Sequence, residues 1–406
     1  MDMSNPQGAP TYLASGFIYG IAKDGSEPPN TMLSEINIKG LRVGGAQTGC
    51  PPNYTARWNA VKAYYAKAKA VGATVLLLVH DLWGADGSCT VSYPGDNGDW
   101  SSYTTFLAQV ITDAQANGMT GPDVRWELWN EPDLSIFWKG TQTQWLQMWQ
   151  HGYQQIRTAL PSAVIEGPSL ATGPGGSWAS AFFDFVKTNN VVPDYVSWHE
   201  EGGGNDPVSD TNTAKSAVSS RSITGVKGYD ANEYGTGTEQ NPGHSGWFIA
   251  RLERAGIQGL RGNWGSGTGL YSTMADLTTS SWQANSQWWM YKRYADQTGL
   301  RSTVTAGSQV DAVAFQDSAA SKSIIVVGNK GGTTGAVNVV IKNIPSWLQN
   351  GTTTKVLLET MPTGSGAVTA PTVVSSAAAN VTCNSLTVAI NWTTATDGYA
   401  VTLTPQ

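Results

Sequence analysis

The stretch Val124-Arg125-Trp126-Glu127-Leu128-Trp129-Asn130-Glu131-Pro132-Asp133 decides how the rest of the chain reads. Val124, Trp126 and Leu128 alternate with Arg125, Glu127 and Trp129, the period of two expected of a strand, and Pro132 ends the pairing because it has no backbone N–H. A carboxylate, Glu131, therefore stands at a strand's C-terminal tip. For one such glutamate alone, the plainer alternative is a helix cap or a surface ion pair.

On both sides of this stretch, short apolar strands alternate with amphipathic helices from about Ala14 to Gly299, the pattern of an α/β fold with parallel strands. Eight strands are expected: 15–21, 40–45, 74–80, the opening stretch, 163–168, 194–199, 225–234 and 256–263. The third is a continuous Val/Leu run, as suits a strand buried on both faces. Helices are expected at 55–71, where Trp58, Val61, Tyr65 and Ala68 share one face, and at 102–117, 141–160 and 282–297. Residues 81–99 read as a long Gly- and Asp-rich loop, and 202–222 as polar loop with one helix near 213–220. Eight units in a chain segment of about 290 residues match a (β/α)8 TIM barrel, whose active site lies at the C-terminal ends of the strands.

After Leu300 the helical period disappears. Thr, Val, Ser and Gly dominate in alternating runs at 323–327, 336–341, 355–358, 386–390 and 400–403, with turns at 329–332 and 363–366. The expected organisation is a catalytic barrel over 1–299 and an all-β sandwich over 300–406, with residues 1–13 counted with the barrel or joining the β module. The β module is expected to cover barrel helices; a sugar-binding surface is the alternative.

Composition narrows the partners. Charged residues make up 13% of the 406, and the net charge of -6 comes with no Lys/Arg cluster, which argues against nucleic acid. No run is long and apolar enough to span a membrane. The 17 Trp, 15 Tyr and 46 Gly suit a secreted, loop-rich protein with aromatic surfaces. Four N-x-[ST] sequons, at Asn53, Asn350, Asn380 and Asn391, point the same way, and the N-terminus lacks the apolar core of a signal peptide, as if one had been removed. Cys50, Cys89 and Cys383 show no metal-ligand spacing; the first two lie in loops able to meet in a disulfide.

The seventh strand again ends in a carboxylate, Glu233, in Asn232-Glu233-Tyr234. Strand tips four and seven face each other across one barrel mouth, so Glu131 and Glu233 are positioned to converge. Retaining glycoside hydrolysis needs two carboxyls about 5 Å apart, one to attack the anomeric carbon and one to protonate the leaving oxygen and later deprotonate water.

Trp129-Asn130-Glu131-Pro132 on strand four, with Asn232-Glu233-Tyr234 on strand seven, resembles clan A of the retaining glycoside hydrolases, and family 39 most. The resemblance covers the barrel and, through the trailing sandwich, essentially the whole chain. It implies that Glu131 is the acid/base, Glu233 the nucleophile and Asn130 a partner of the sugar 2-hydroxyl. It further implies Arg42 on strand two as the cation that keeps the nucleophile ionised, and His199 and Trp264, at strand tips six and eight, as walls of the sugar subsite. Tyr234 and Trp83 join the substrate-facing set, and Trp138 and Trp178 are candidates for a pocket or platform. Read from the residues alone, Arg42 is also able to pair Glu127 inside the barrel, and His199 to be a satisfied core histidine. Where the family commonly has an aromatic soon after the strand-six histidine, Glu200-Glu201-Gly202 follows here.

The expected activity is that of a retaining exo-glycosidase acting on plant cell-wall side chains, of β-D-xylosidase, α-L-arabinofuranosidase or β-galactosidase type, with no metal or organic cofactor. An endo-acting glycanase and a non-catalytic glycan-binding protein are the alternatives. A metal hydrolase built on His80-Asp81 and His199-Glu200 has too few ligands, and a serine hydrolase has no G-x-S-x-G elbow.

Overall fold

The computed structural model describes residues 1–202, 204–262 and 269–406. Its centre is a closed parallel barrel with strands in chain order: β1 Gly16–Ile18, β2 Gly40–Val43, β3 Thr74–Leu78, β4 Val124–Glu127, β5 Val164–Leu170, β6 Tyr195–Glu200, β7 Gly228–Tyr234 and β8 Gln258–Arg261. The helices are α1 Asn30–Ser34, α2 Tyr54–Val71, α3 Val79–Trp83, α4 Ser101–Ala116, α5 Gln142–Ala159, α6 Ser177–Asn189, α7 Pro207–Ser220, α8 Pro242–Ala255 and α9 Ser286–Ala295. No helix among the described residues is long and apolar enough to cross a membrane.

Local chemistry sets the helix ends. Asn53 accepts a hydrogen bond from Ala56 N to cap α2, Thr141 does the same for α5 from Gln144 N, and Pro242 opens α8 behind the cap Asn241. Three expectations change. Strand three stops at Leu78 because the apolar run continues as α3, inside what reads as a loop. Helix α7 begins at Pro207, six residues before the expected start, where Asp206 accepts from Val208 N. Trp178, expected in a loop, lies on α6 with its ring 5.7 Å from that of Trp145.

The barrel interior is polar rather than filled with branched apolar residues. Near its base, Arg125 pairs with Asp230 and, at 3.2 Å, with Glu166. Burial and the neighbouring Asp230 charge hold Glu166 well above the usual carboxylate range.

The C-terminal module has a sheet in the order β14-β13-β16-β11-β10-β9 and a pair β12-β15, formed by β9 Leu300–Arg301, β10 Val310–Asp317, β11 Lys322–Asn329, β12 Gly335–Ile341, β13 Thr353–Met361, β14 Thr372–Asn380, β15 Leu386–Trp392 and β16 Gly398–Thr404. Alternate residues of β15 (Leu386, Val388, Ile390, Trp392) point inward with Ile341 and Leu403. Residues 1–3 lie on this module: Asp2 N donates to Thr303 O and Met3 N to Lys342 O, and the Met3 side chain is buried in its core. The module packs on α8 so closely that a Cβ at Gly328 would fall 1.8 Å from Trp247 N, and Arg293 of α9 pairs with Glu359 at 2.7 Å.

Candidate active site

Two irregularities in the barrel wall build the site. The register of β6 against β7 shifts between Trp198 and His199, and that of β7 against β8 shifts between Ala231 and Tyr234. Regular alternation would send successive side chains to opposite faces; the shifts let Asn232 and Glu233 both reach inward partners. Asn232 Nδ2 donates to Glu127 Oε1 at 3.0 Å and to Ser169 Oγ at 2.8 Å. On β4's extension, Glu131 has φ of 40° with its N–H donated to Ser169 O at 2.9 Å. A left-handed backbone costs a non-glycine residue about 1–2 kcal/mol, strain of the kind found where a side chain must be aimed.

Arg42 is wholly buried and organises the floor. Its Nε and Nη2 each lie 2.6 Å from an oxygen of Glu127, its Nη1 donates to Glu233 Oε1 at 2.7 Å, and Nη2 also reaches Asn130 Oδ1. Both readings of Arg42 thus hold together: it pairs Glu127 inside the barrel and contacts Glu233. Because Asn130 Oδ1 is taken by the guanidinium, the amide has its N–H group to offer a sugar oxygen.

His199 joins the two glutamates. Its Nδ1 lies 2.8 Å from Glu131 Oε1 and 2.9 Å from Glu233 Oε2, and the ring is fully buried. Burial disfavours the imidazolium, but the charges of Glu233 and Glu131 outweigh it and lift the His199 pKa to about 10. Burial likewise raises the Glu233 carboxyl, and the His199 and Arg42 charges and hydrogen bonds overcome it, bringing the group to about 2. One carboxylate oxygen of Glu131, one of Glu233 and a His199 ring nitrogen all lie within 4.8 Å of one another. Such a trio has donor types a divalent ion accepts, yet His199 Nδ1 is held between the two carboxylates as a hydrogen-bond donor and the three form an ion cluster by themselves.

Arg42, Asn130, Glu131 and Glu233 line a cavity of about 290 Å³ together with Tyr19, Gln47, Asp81, Asp86 and Phe137, whereas His199, expected in the wall of the sugar subsite, is buried against the two glutamates and does not line it. Asp81, missed as a binding candidate, sits just beyond strand tip three, bonded to Tyr19 Oη and, at 2.7 Å, to His80 Nδ1. Its tip position was the available signal. Asp86 had none, because its placement depends on long-range ties between the loops after β2 and β3. Gln47 N donates to Asp86 Oδ2 at 2.7 Å, Arg57 of α2 pairs with Asp86 at 3.3 Å, and Cys50 and Cys89 form a disulfide with Cα atoms 5.5 Å apart. Gly84, at φ of 100°, completes the wall: a Cβ there would lie 2.2 Å from Pro52 Cγ.

Other expected site residues lie elsewhere. Tyr234 points out of the barrel, its hydroxyl between Ala14 O and Tyr291 and its ring against Phe248, so it supports the wall rather than facing substrate. Strand alternation after the shifted Glu233 sends it there. Trp83 lies on the outer side of α3, packed edge-on to Phe106 at 5.0 Å and Tyr103 at 5.9 Å, with its Nε1 donated to Ser92 O; it lines a separate surface cleft. Trp138 is buried against Trp129 and Tyr93. Trp264 lies outside the described residues.

A family model described as glycosyl hydrolases family 39 matches residues 100–224. Among curated relatives, a 3-O-alpha-D-galactosyl-alpha-L-arabinofuranosidase of Bifidobacterium longum subsp. longum is 24% identical over 254 residues, 56% of this chain and 22% of that protein. A beta-xylosidase of Geobacillus stearothermophilus is 30% identical over 74 residues, 18% of this chain and 14% of that protein. The chain thus spans under a quarter of the length of the curated relatives it matches. Among solved structures, N2152 from Neocallimastix frontalis shares the fold with a TM-score of 0.83 at 24% identity, over 100% of this chain and 98% of that one. The family match falls on the segment that carries Asn130, Glu131 and His199, and it makes this chain a relative of the glycosyl hydrolases of family 39, in clan A.

Proposed function

We propose that this chain is a retaining glycoside hydrolase that removes a terminal sugar, a pentose foremost, from plant cell-wall side chains. The observation that carries the reading is the approach of Glu131 and Glu233, with carboxylate oxygens within 4.8 Å. Retaining enzymes hold their two carboxyls about 5–5.5 Å apart, whereas inverting enzymes leave roughly 6.5–9.5 Å for a water.

In the first step the ionised Glu233 attacks the anomeric carbon, the bond to the leaving oxygen breaks, and Glu131 delivers to that oxygen the proton it shares with His199 Nδ1. In the second, Glu131 takes a proton from water as the water oxygen displaces Glu233, restoring the starting configuration. Arg42 and His199 keep Glu233 ionised, and Asn130 is the candidate donor to the sugar beside the cleaved bond. No step calls for a metal or an organic cofactor.

Two further observations support removal of a chain-end sugar. The cavity, about 290 Å³, is at the small end of ligand pockets. The wall of Gln47 and Asp86, tied by Arg57 and the disulfide, stands on the side of the barrel mouth served by β2 and β3. The choice of a pentose draws on the relatives named as an arabinofuranosidase and a beta-xylosidase. Secretion belongs to the same proposal: the Cys50–Cys89 bridge suits an oxidising compartment, and the sequon asparagines 53, 350, 380 and 391 are all exposed.

The test is a proton-NMR time course with nitrophenyl β-D-xyloside, β-D-galactoside, β-D-glucoside and α-L-arabinofuranoside, for wild type and Glu233→Ala. One glycoside is expected to release sugar of retained configuration, and the variant to be silent. Inversion, or equal activity in the variant, sinks the assignment; silence of wild type on the whole panel sinks the hydrolase reading.

A further inference from the structure

Among the described residues, the barrel exposes two large apolar side chains, Leu134 at 36% and Ile136 at 58%. Both follow Glu131 within five positions, and the next residue, Phe137, lines the catalytic cavity. The segment is held, not loose. Leu134 N donates to Glu131 O and Phe137 N to Leu134 O, each at 3.0 Å, and Trp129 Nε1 donates to Phe137 O at 3.1 Å. The Asp133 carboxylate accepts from Ala171 N, Thr172 N and Thr172 Oγ1 at 2.7–3.0 Å, which ties the turn to the loop after β5. On the adjacent loop after β3, a Cβ at Gly87 would lie 3.5 Å from Ile136 Cγ1 and 3.9 Å from Phe137 Cε1, so the apolar lip meets the disulfide-bound loop.

A scattered surface isoleucine needs no explanation, but two exposed apolar side chains on a braced turn beside the acid do. Glu131 protonates the leaving oxygen, so whatever is attached to that oxygen lies on Glu131's side of the cavity. We infer that Leu134, Ile136 and Phe137 form an apolar leaving-group subsite, and that this enzyme favours glycosides whose departing group presents an extended hydrocarbon surface, an alkyl or aryl group or the C–H face of a sugar ring, over those with a small one. The inference rests on the hydrolase reading and adds the class of leaving group. Continuity with the catalytic cavity identifies the occupant: the lip begins where the acid ends.

The probes are ethyl and hexyl β-D-xylopyranoside, with the matching α-L-arabinofuranosides, because the two alcohols are nearly equal as leaving groups and differ in four methylenes. A chain with one side against the lip gains about half of a buried methylene's transfer free energy per carbon, so kcat/KM for hexyl is expected to exceed that for ethyl roughly 15-fold. Ile136→Ser is expected to cut that ratio to about threefold, while Val373→Ser/Val374→Ser, altering exposed valines of the β module, leaves it as in wild type. The ratio separates recognition from a general loss of activity, which lowers both substrates alike. A wild-type ratio near one, or a ratio that survives Ile136→Ser, overturns the lip alone. Inactivity of wild type on every nitrophenyl and alkyl glycoside overturns the hydrolase reading and the lip with it.

Discussion

Replacing His199 with Asn tests how the two glutamates are held. Asn places a neutral N–H donor close to where Nδ1 stands, so a hydrogen bond to the carboxylates persists while the charge disappears. Wild-type His199 is raised from 6.5 to about 10, against the pull of burial, by Glu233 and Glu131. At about 1.4 kcal/mol per pKa unit, that shift sets an upper limit of roughly 5 kcal/mol on what the charged ring adds to stability. The contribution of a group whose folded pKa is raised is complete below its unfolded pKa, near pH 6.5, and is lost as pH climbs through about 10. Urea unfolding at fixed ionic strength from pH 5 to 10 is therefore expected to show His199→Asn less stable by a few kcal/mol at pH 6, with the gap closing towards pH 10. Glu233 adds an acid-side signature. Its depressed pKa contributes stability above the ordinary carboxyl range and loses it as pH falls towards about 2. With one of its two cations removed, the variant has less of that contribution to lose, so its stability falls less steeply with acid than that of wild type. A stability difference that stays constant from pH 5 to 10 would refute the view of His199 as a buried imidazolium bridging two carboxylates.

Three other outcomes are expected. Glu131→Ala should reduce kcat/KM by roughly 10²–10⁴ on substrates with poor leaving groups and far less on dinitrophenyl glycosides, which depart without a proton; equal losses on both would remove Glu131 as the acid. Cys50→Ser/Cys89→Ser opens a loop with a sequence separation of 39, which in the chain-entropy picture costs about 4 kcal/mol of stability, read in guanidinium. An unchanged midpoint would show that the hydrogen bonds of Asp86 alone fix that wall. Tyr234→Phe should cost about 1 kcal/mol through its lost bonds to Ala14 and Tyr291, with KM unaltered; a rise in KM would return Tyr234 to the substrate side.

Much of the fold was legible because its signals are local. The period of two at Val124–Leu128, the Val/Leu run of strand three and the change of composition after Leu300 each follow from which face of a short segment is buried. For the same reason the two strand-tip glutamates stood out: a carboxylate just before a proline, at the end of an apolar strand, is visible within ten residues. The aromatic residues were not legible. Trp83, Trp138 and Trp178 have large apolar rings that suit a sugar platform or a helix interface equally, and only their neighbours Phe106, Trp129 and Trp145 show which surface they meet.

The sequence by itself determined the barrel, the appended β module and the Glu131 and Glu233 pair, because chain direction and strand order place the tips of strands four and seven at one mouth. Tertiary structure alone decided how that pair is charged and what surrounds it. The register shifts at His199 and Glu233 turned those side chains inward and Tyr234 outward, and burial set Arg42 and His199 against the carboxylates with little water between to screen them. Asp86 entered the cavity through a disulfide and an arginine from α2, and Ile136 stayed in solvent at its rim. A one-residue change of register and an ionic contact across a barrel both depend on residues far apart in the chain, whose meeting no local pattern encodes.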